Sequence, residues 1–113
     1  MHEMSLARNI LDIVDEYMAT EKGRVLKKVV VEVGELTAVL PQSLEFCYQA
    51  LVENSRYHDS KILIKIVPLS GMCLECHHSF KMKKLEFKCP LCHSSHIEVK
   101  GGQELRISHL EVD

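Results

Sequence analysis

No run in this 113-residue chain approaches the roughly 18 apolar residues that a membrane-crossing helix needs, so no transmembrane segment is expected. Its start has neither the basic segment nor the apolar stretch of an export signal, since Met1 is followed by His2 and Glu3. Net charge is small too, with 14 basic against 16 acidic residues. A formal charge of -2 argues against non-specific binding to DNA or RNA, which is driven by phosphate neutralisation. The chain has no glycine-rich phosphate loop, no G-x-S-x-G elbow, no H-E-x-x-H helix, no internal repeat and no low-complexity tract. An enzyme of those classes is therefore not expected. What is left, at 46% hydrophobic and 27% charged residues, is a globular cytosolic chain: one domain, or a small one carrying a smaller, metal-stapled one.

Four of the five cysteines stand in two C-x-x-C turns, Cys73-Leu74-Glu75-Cys76 and, twelve residues on, Cys89-Pro90-Leu91-Cys92. Each turn can aim two thiolates at one point, and four sulfurs suit tetrahedral Zn²⁺. Disulfides fit a secreted chain, and a redox motif needs only one such pair. Iron also accepts four thiolates, so ligand type alone leaves it open. Zinc at Cys73, Cys76, Cys89 and Cys92 is the expected occupant, and a structural one. Four cysteine ligands leave no open position for catalysis, and so small a segment cannot bury enough apolar surface unaided. The fifth cysteine, Cys47, lies in an apolar helical stretch and reads as a core residue. Four of the seven histidines, His77, His78, His93 and His96, fall in or just after the cysteine turns.

Leu6, Ala7, Ile10, Leu11, Val14, Tyr17 and Met18 recur at three and four, predicting an amphipathic helix over about 4–19. Gly23 turns the chain. Residues 26–33 predict a strand covered mainly on one side, with Val29, Val31 and Val33 inward and Lys28, Val30 and Glu32 outward. Pro41 suits the first turn of a second helix, whose stripe is Leu44, Cys47, Tyr48 and Leu51 with Phe46 and Ala50 beside it. Residues 61–67 form a half-exposed strand with Ile62, Ile64 and Ile66 inward, and a last strand spans about 104–112 after a flexible Gly101-Gly102 exit. The strand–helix–strand portion favours a parallel pair. The expected fold is α/β: a small two-layer body of a three-stranded mixed sheet with two helices, plus an inserted zinc-ribbon-like knob. The body takes residues 1–70 and 101–113, the knob 71–100.

Glu32, Glu35 and Glu45 are candidate acids that surface elements display in any case. Lys81, Lys83, Lys84 and Lys88 make a basic patch between the cysteine turns, with Phe80 and Phe87 its only aromatic companions. The beginning of the chain offers more. The α-amine of Met1, the amide and imidazole nitrogens of His2 and the amide of Glu3 lie within one chelating span, and nitrogen-rich tetragonal sites suit Ni²⁺ or Cu²⁺ and serve Zn²⁺ poorly.

Met1-His2-Glu3-Met4-Ser5 opening a helix, Val29-Val30-Val31-Glu32-Val33-Gly34-Glu35-Leu36 in the first strand, and two C-x-x-C pairs before a closing strand together resemble the HypA/HybF family of nickel metallochaperones. The likeness runs along essentially the whole chain. It implies delivery of Ni(II) to the large subunit of [NiFe]-hydrogenase during maturation, in concert with a HypB-type GTPase, and in some bacteria a contribution to urease activation. It maps nickel binding onto Met1, His2 and Glu3, and structural zinc onto the four cysteines. Where some members carry a further carboxylate this chain reads Val39-Leu40-Pro41, so that ligand does not carry over; His93 and His96 are the histidines that could instead approach the amino terminus. From the residues themselves no catalysis, nucleic acid or membrane is expected, and the chain is expected to be a monomer or homodimer. The competing class is a zinc-ribbon module that holds a protein or RNA partner and handles no second metal.

Overall fold

Helix α1, Glu3–Met18, buries Leu6, Ala7, Ile10, Val14 and Met18, the stripe that its three-and-four spacing predicts. The computed structural model describes residues 2–83 and 86–113. Gly23, at φ 78°, turns the chain into strand β1, Leu26–Gly34. A single 3₁₀ turn, Glu35–Thr37, occupies the connection that periodicity does not assign, and Ala38 ends it in the left-handed region at φ 61°. Helix α2, Pro41–Val52, has its proline in the first turn, where a missing N–H costs nothing. Then follow β2 (Lys61–Val67), β3 (Ser70–Cys73), β4 (Ser79–Lys81), β5 (Ile97–Gly101) and β6 (Leu105–Val112).

The strands form two three-stranded sheets, β2-β1-β6 and β4-β3-β5, so the chain leaves the first sheet after β2, builds the second and returns as β6. The fold is mixed α/β. Two compact units emerge. One holds residues 2–32, Val39–Lys65 and Arg106–Asp113; the other holds Val33–Ala38 and Ile66–Leu105.

In the first unit β1 is the central strand, and this corrects the expected one-sided burial. Val30 is as inaccessible as Val29 and Val31. Beside it on β6, Arg106 Nε donates to Glu32 Oε1 at 2.6 Å. Two further differences concern apolar residues. Helix α2 buries Leu44, Tyr48 and Val52, leaves Cys47 and Leu51 half-buried, and exposes Phe46 at 73%. On β2, Ile62 is buried while Ile66 is 47% exposed, so alternation alone overstates the inward face.

In the second unit the glycines at the end of β5 are no flexible exit. Gly102 is buried at φ 111°, and a Cβ there would lie 2.7 Å from Leu69 Cα. A Cβ on Gly34 would lie 2.2 Å from the Gly102 carbonyl carbon. This backbone contact is held by hydrogen bonds from Gly34 N to Glu104 O (2.6 Å) and from Leu36 N to Gly102 O (2.7 Å). The Glu35 carboxylate accepts from Leu69 N at 3.1 Å, which gives that residue a structural role.

Candidate metal centre

Strand β3 delivers Cys73 to the first turn, and the two C-x-x-C segments then fold alike. His77 N donates to Cys73 O at 2.8 Å and His93 N to Cys89 O at 3.0 Å. The two histidines sit in the left-handed region, at φ 63° and 64°. Closing each loop, Cys73 N donates to His78 O and Cys89 N to Ser94 O, both at 2.9 Å. In each turn the first sulfur accepts backbone N–H groups: Cys73 Sγ from Cys76 at 3.4 Å, Cys89 Sγ from Leu91 at 3.4 Å and from Cys92 at 3.5 Å.

The result is a quartet. The sulfurs of Cys73, Cys76, Cys89 and Cys92 all lie within 4.8 Å of one another, with Cys73 and Cys89 buried and Cys76 and Cys92 exposed. Across the turns Cys73 and Cys92 stand 3.4 Å apart and Cys76 and Cys89 3.6 Å apart. A disulfide requires about 2.05 Å. A tetrahedron with Zn–S bonds of about 2.3 Å has edges of about 3.8 Å. The quartet therefore fits a tetrathiolate metal site and not a pair of disulfides.

Its electrostatics fit as well. The Cys76 N–H helps to pull the Cys73 thiol down to about 6, and the Cys92 N–H lowers Cys89 in the same way. The outer sulfurs go the other way. Cys92 is drawn down by the Ser94 N–H, but the neighbouring sulfurs and burial outweigh that and push it up to about 12. Cys76 is likewise raised, the pull of the His78 N–H being outweighed by burial and by the sulfurs of Cys89 and Cys73. Four thiolates repel one another; a divalent cation relieves that repulsion and displaces the remaining protons.

The flanking histidines are exposed or half-buried. His96 Nδ1 lies 3.1 Å from Glu75 Oε1, and Leu74 N donates to His96 O at 2.9 Å, so residue 96 braces the first turn. His93 is exposed after the second turn.

At the other candidate site, His2 is the N-cap of α1, exposed, with no cap bond from its side chain; its carbonyl accepts the first helical hydrogen bond, from Leu6 N at 3.0 Å. The amide of Glu3 is the first of the helix, where N–H groups have no intrahelical acceptor. The Glu3 carboxylate is occupied elsewhere. Leu40 N donates to its Oε2 at 3.2 Å, tying the start of α1 to the N-cap of α2, and that bond leads the influences holding its pKa below the ordinary carboxylate value. Sequence reasoning missed this link, because nothing in the spelling of residues 3 and 40 pairs them. His2, Glu3, Met4, Gln42, Ser43, Phe46 and Cys47 line one recess of about 450 Å³. Met1, the remaining expected ligand, lies outside the described residues, as does Lys84 of the basic patch. Among the described residues, the cysteine quartet is the only grouping of three or more histidine, cysteine or carboxylate side chains with ligand atoms in mutual reach.

Comparison with known proteins gives one consistent answer. A family model described as "Hydrogenase/urease nickel incorporation, metallochaperone, hypA" matches residues 1–112. The chain is 34% identical to the hydrogenase maturation factor HypA of Dechloromonas aromatica (strain RCB), over all of both chains. It resembles the solution structure of the Ni metallochaperone HypA from Helicobacter pylori, with a TM-score of 0.66 and 26% identity over 98% of this chain and 97% of that one. A second solution structure of a HypA protein is similar with a TM-score of 0.72 and 26% identity, over 98% and 95%.

Proposed function

The chain belongs to the HypA family of nickel metallochaperones for hydrogenase maturation, and from that premise we propose that it captures Ni(II) at Met1, His2 and Glu3 and delivers it during assembly of [NiFe]-hydrogenase. The observation that carries this reading is the state of His2: its side chain is exposed and makes no capping bond, at a helix start whose amides have no helical acceptor. The α-amine of Met1, the His2 amide and imidazole and the Glu3 amide supply four nitrogens, a set suited to Ni²⁺. Ionising those amides breaks no helical hydrogen bond. The positive end of the α1 dipole disfavours a cation there, so tight capture depends on deprotonated amides. Reprotonation then favours release, which suits a cargo site. Glu3 serves chiefly as a positioning residue, since its carboxylate holds the segment to Leu40.

Zinc belongs to Cys73, Cys76, Cys89 and Cys92, in the module 71–100, with residues 1–70 and 101–113 forming the nickel-binding body. When bound, zinc cross-links the two turns and neutralises thiolate charge. The chain's own part is to supply N–H donors to Cys73 and Cys89 and to close each turn through residue 77 or 93. The partners in this reading are a HypB-type GTPase and the hydrogenase large subunit, with urease maturation proteins as a further client route, in the cytoplasm. No described helix is long and apolar enough to cross a membrane.

Calorimetric titration with nickel, on protein beginning at Met1 and already assayed for zinc, tests the proposal. One equivalent of nickel bound in addition to one zinc is the expected result. A zinc-loaded chain that takes up no nickel would leave the interaction-module reading in its place.

A further inference from the structure

We propose that the recess beside β4 is a docking site for an acidic peptide segment of a protein partner, held by one apolar anchor residue. The inference does not depend on where nickel binds. The recess is about 480 Å³, room for one or two side chains, and its apolar lining comes from Phe80, Met82, Phe87 and Pro90. Lys81, Lys83 and Lys88 also line it, all exposed, with Glu86 as the one acid.

Charge is segregated around it. Of the four described lysines and arginines between positions 66 and 105, three (Lys81, Lys83 and Lys88) line it, in a chain whose formal charge is -2. Ion pairs of the described residues engage Lys27, Lys28, Lys100 and Arg106, and none engages Lys81, Lys83 or Lys88. Three uncommitted ammonium groups beside an apolar hollow are complementary to carboxylates flanking a hydrophobic side chain. Balancing the thiolate charge would account for lysines. It would not account for a hollow lined by two phenylalanines and a methionine.

Single-stranded nucleic acid is the less suitable occupant. It needs successive open aromatic platforms along a basic track. Here Phe80 is already stacked on His78, with ring centroids 5.8 Å apart and an interplanar angle of 15°, which leaves Phe87 as the open ring.

The test is a ¹H–¹⁵N NMR titration of the full zinc-loaded chain with a synthetic 12-residue peptide bearing one phenylalanine among glutamates. Controls carry glutamine for glutamate or alanine for phenylalanine, and a uridine-rich oligonucleotide is titrated in parallel. Saturable shifts centred on residues 80–90, weakened by salt and by either peptide control, are expected. The double variant Lys81→Glu, Lys83→Glu, whose zinc content serves as the fold check, should weaken binding about tenfold, and Phe87→Ala should weaken it independently. Three results would overturn the proposal: no shifts in the recess, peptide affinity unchanged by the double variant in its zinc-loaded form, or saturation by the oligonucleotide alone.

Discussion

Tyr48 shows how a single buried polar group is made tolerable. Ser60 spends its only hydroxyl proton on Tyr57 O at 2.6 Å, so at the 2.6 Å contact between Tyr48 and Ser60 it is the phenol that donates. Tyr48→Phe leaves the Ser60 oxygen short of a donor and should cost about 1–2 kcal/mol in urea unfolding. Burial raises the Tyr48 pKa above its ordinary value, and Tyr57, also buried and hydrogen-bonded to Asp15, moves the same way. The folded state then holds protons that the unfolded chain releases above about pH 10. Stability from these groups is present in full below that pH and is lost above it, so Tyr48→Phe should flatten the alkaline limb of a stability-versus-pH curve. His2 is the opposite kind of residue, exposed and, in its side chain, uncommitted. His2→Ala should abolish nickel binding by calorimetry while zinc content and thermal unfolding stay as they were. If zinc were lost as well, two separate sites would be the wrong picture.

At the scale of elements, the two cysteine turns place His77 and His93 where a side chain is strained and glycine is not. Each histidine→Gly change should therefore raise the thermal stability of the zinc-loaded protein, by about 0.5–1 kcal/mol. A loss would show that the imidazoles make stabilising contacts of their own. Gly34 is the reverse case. A methyl group there meets the Gly102 carbonyl carbon at 2.2 Å, backbone that cannot swing aside. Gly34→Ala should cost about 3 kcal/mol or more in denaturant unfolding. These positions also show what periodicity can carry. Helix α1 and strands β1, β2 and β6 were legible because apolar residues repeat over eight or more positions, or alternate over seven. Strands β3 and β4 have only four and three residues, and Ser70-Gly71-Met72-Cys73 has no alternation to read. The pair Gly101-Gly102 spells a linker, yet Gly102 is required by a positive φ and a neighbour at 2.7 Å, which only the fold creates. The clustering of the four cysteines was legible because the spacing is local to each turn. The Glu3–Leu40 link was not, since it joins two helix starts 37 positions apart.

For the molecule as a whole, the division into two compact units gives metal removal a definite signature. The unit containing the cysteines buries Val33, Leu69, Met82, Cys73 and Cys89, whereas the helical unit buries many more apolar residues, from α1, α2, β1 and β2. A core so sparse needs a cross-link, and four sulfurs within 4.8 Å supply the place for one. Stripping zinc with a strong chelator at neutral pH should abolish amide-exchange protection in β3, β4 and β5 while protection in α1 and the Leu26–Val31 part of β1 persists. Cys73→Ala should do the same without chelator, because it removes one of the four clustered sulfurs, the buried one that accepts the Cys76 N–H. Acid acts through the same groups with a fixed sign. Each lost proton on a ligand sulfur is exchanged for a bond to metal, so zinc affinity falls as pH falls and protons are released on binding. Calorimetry in two buffers of different ionisation enthalpy measures that release. Retained protection in all three strands after the metal is gone would mean that the second sheet stands on its own packing, and that zinc has some task other than holding it together.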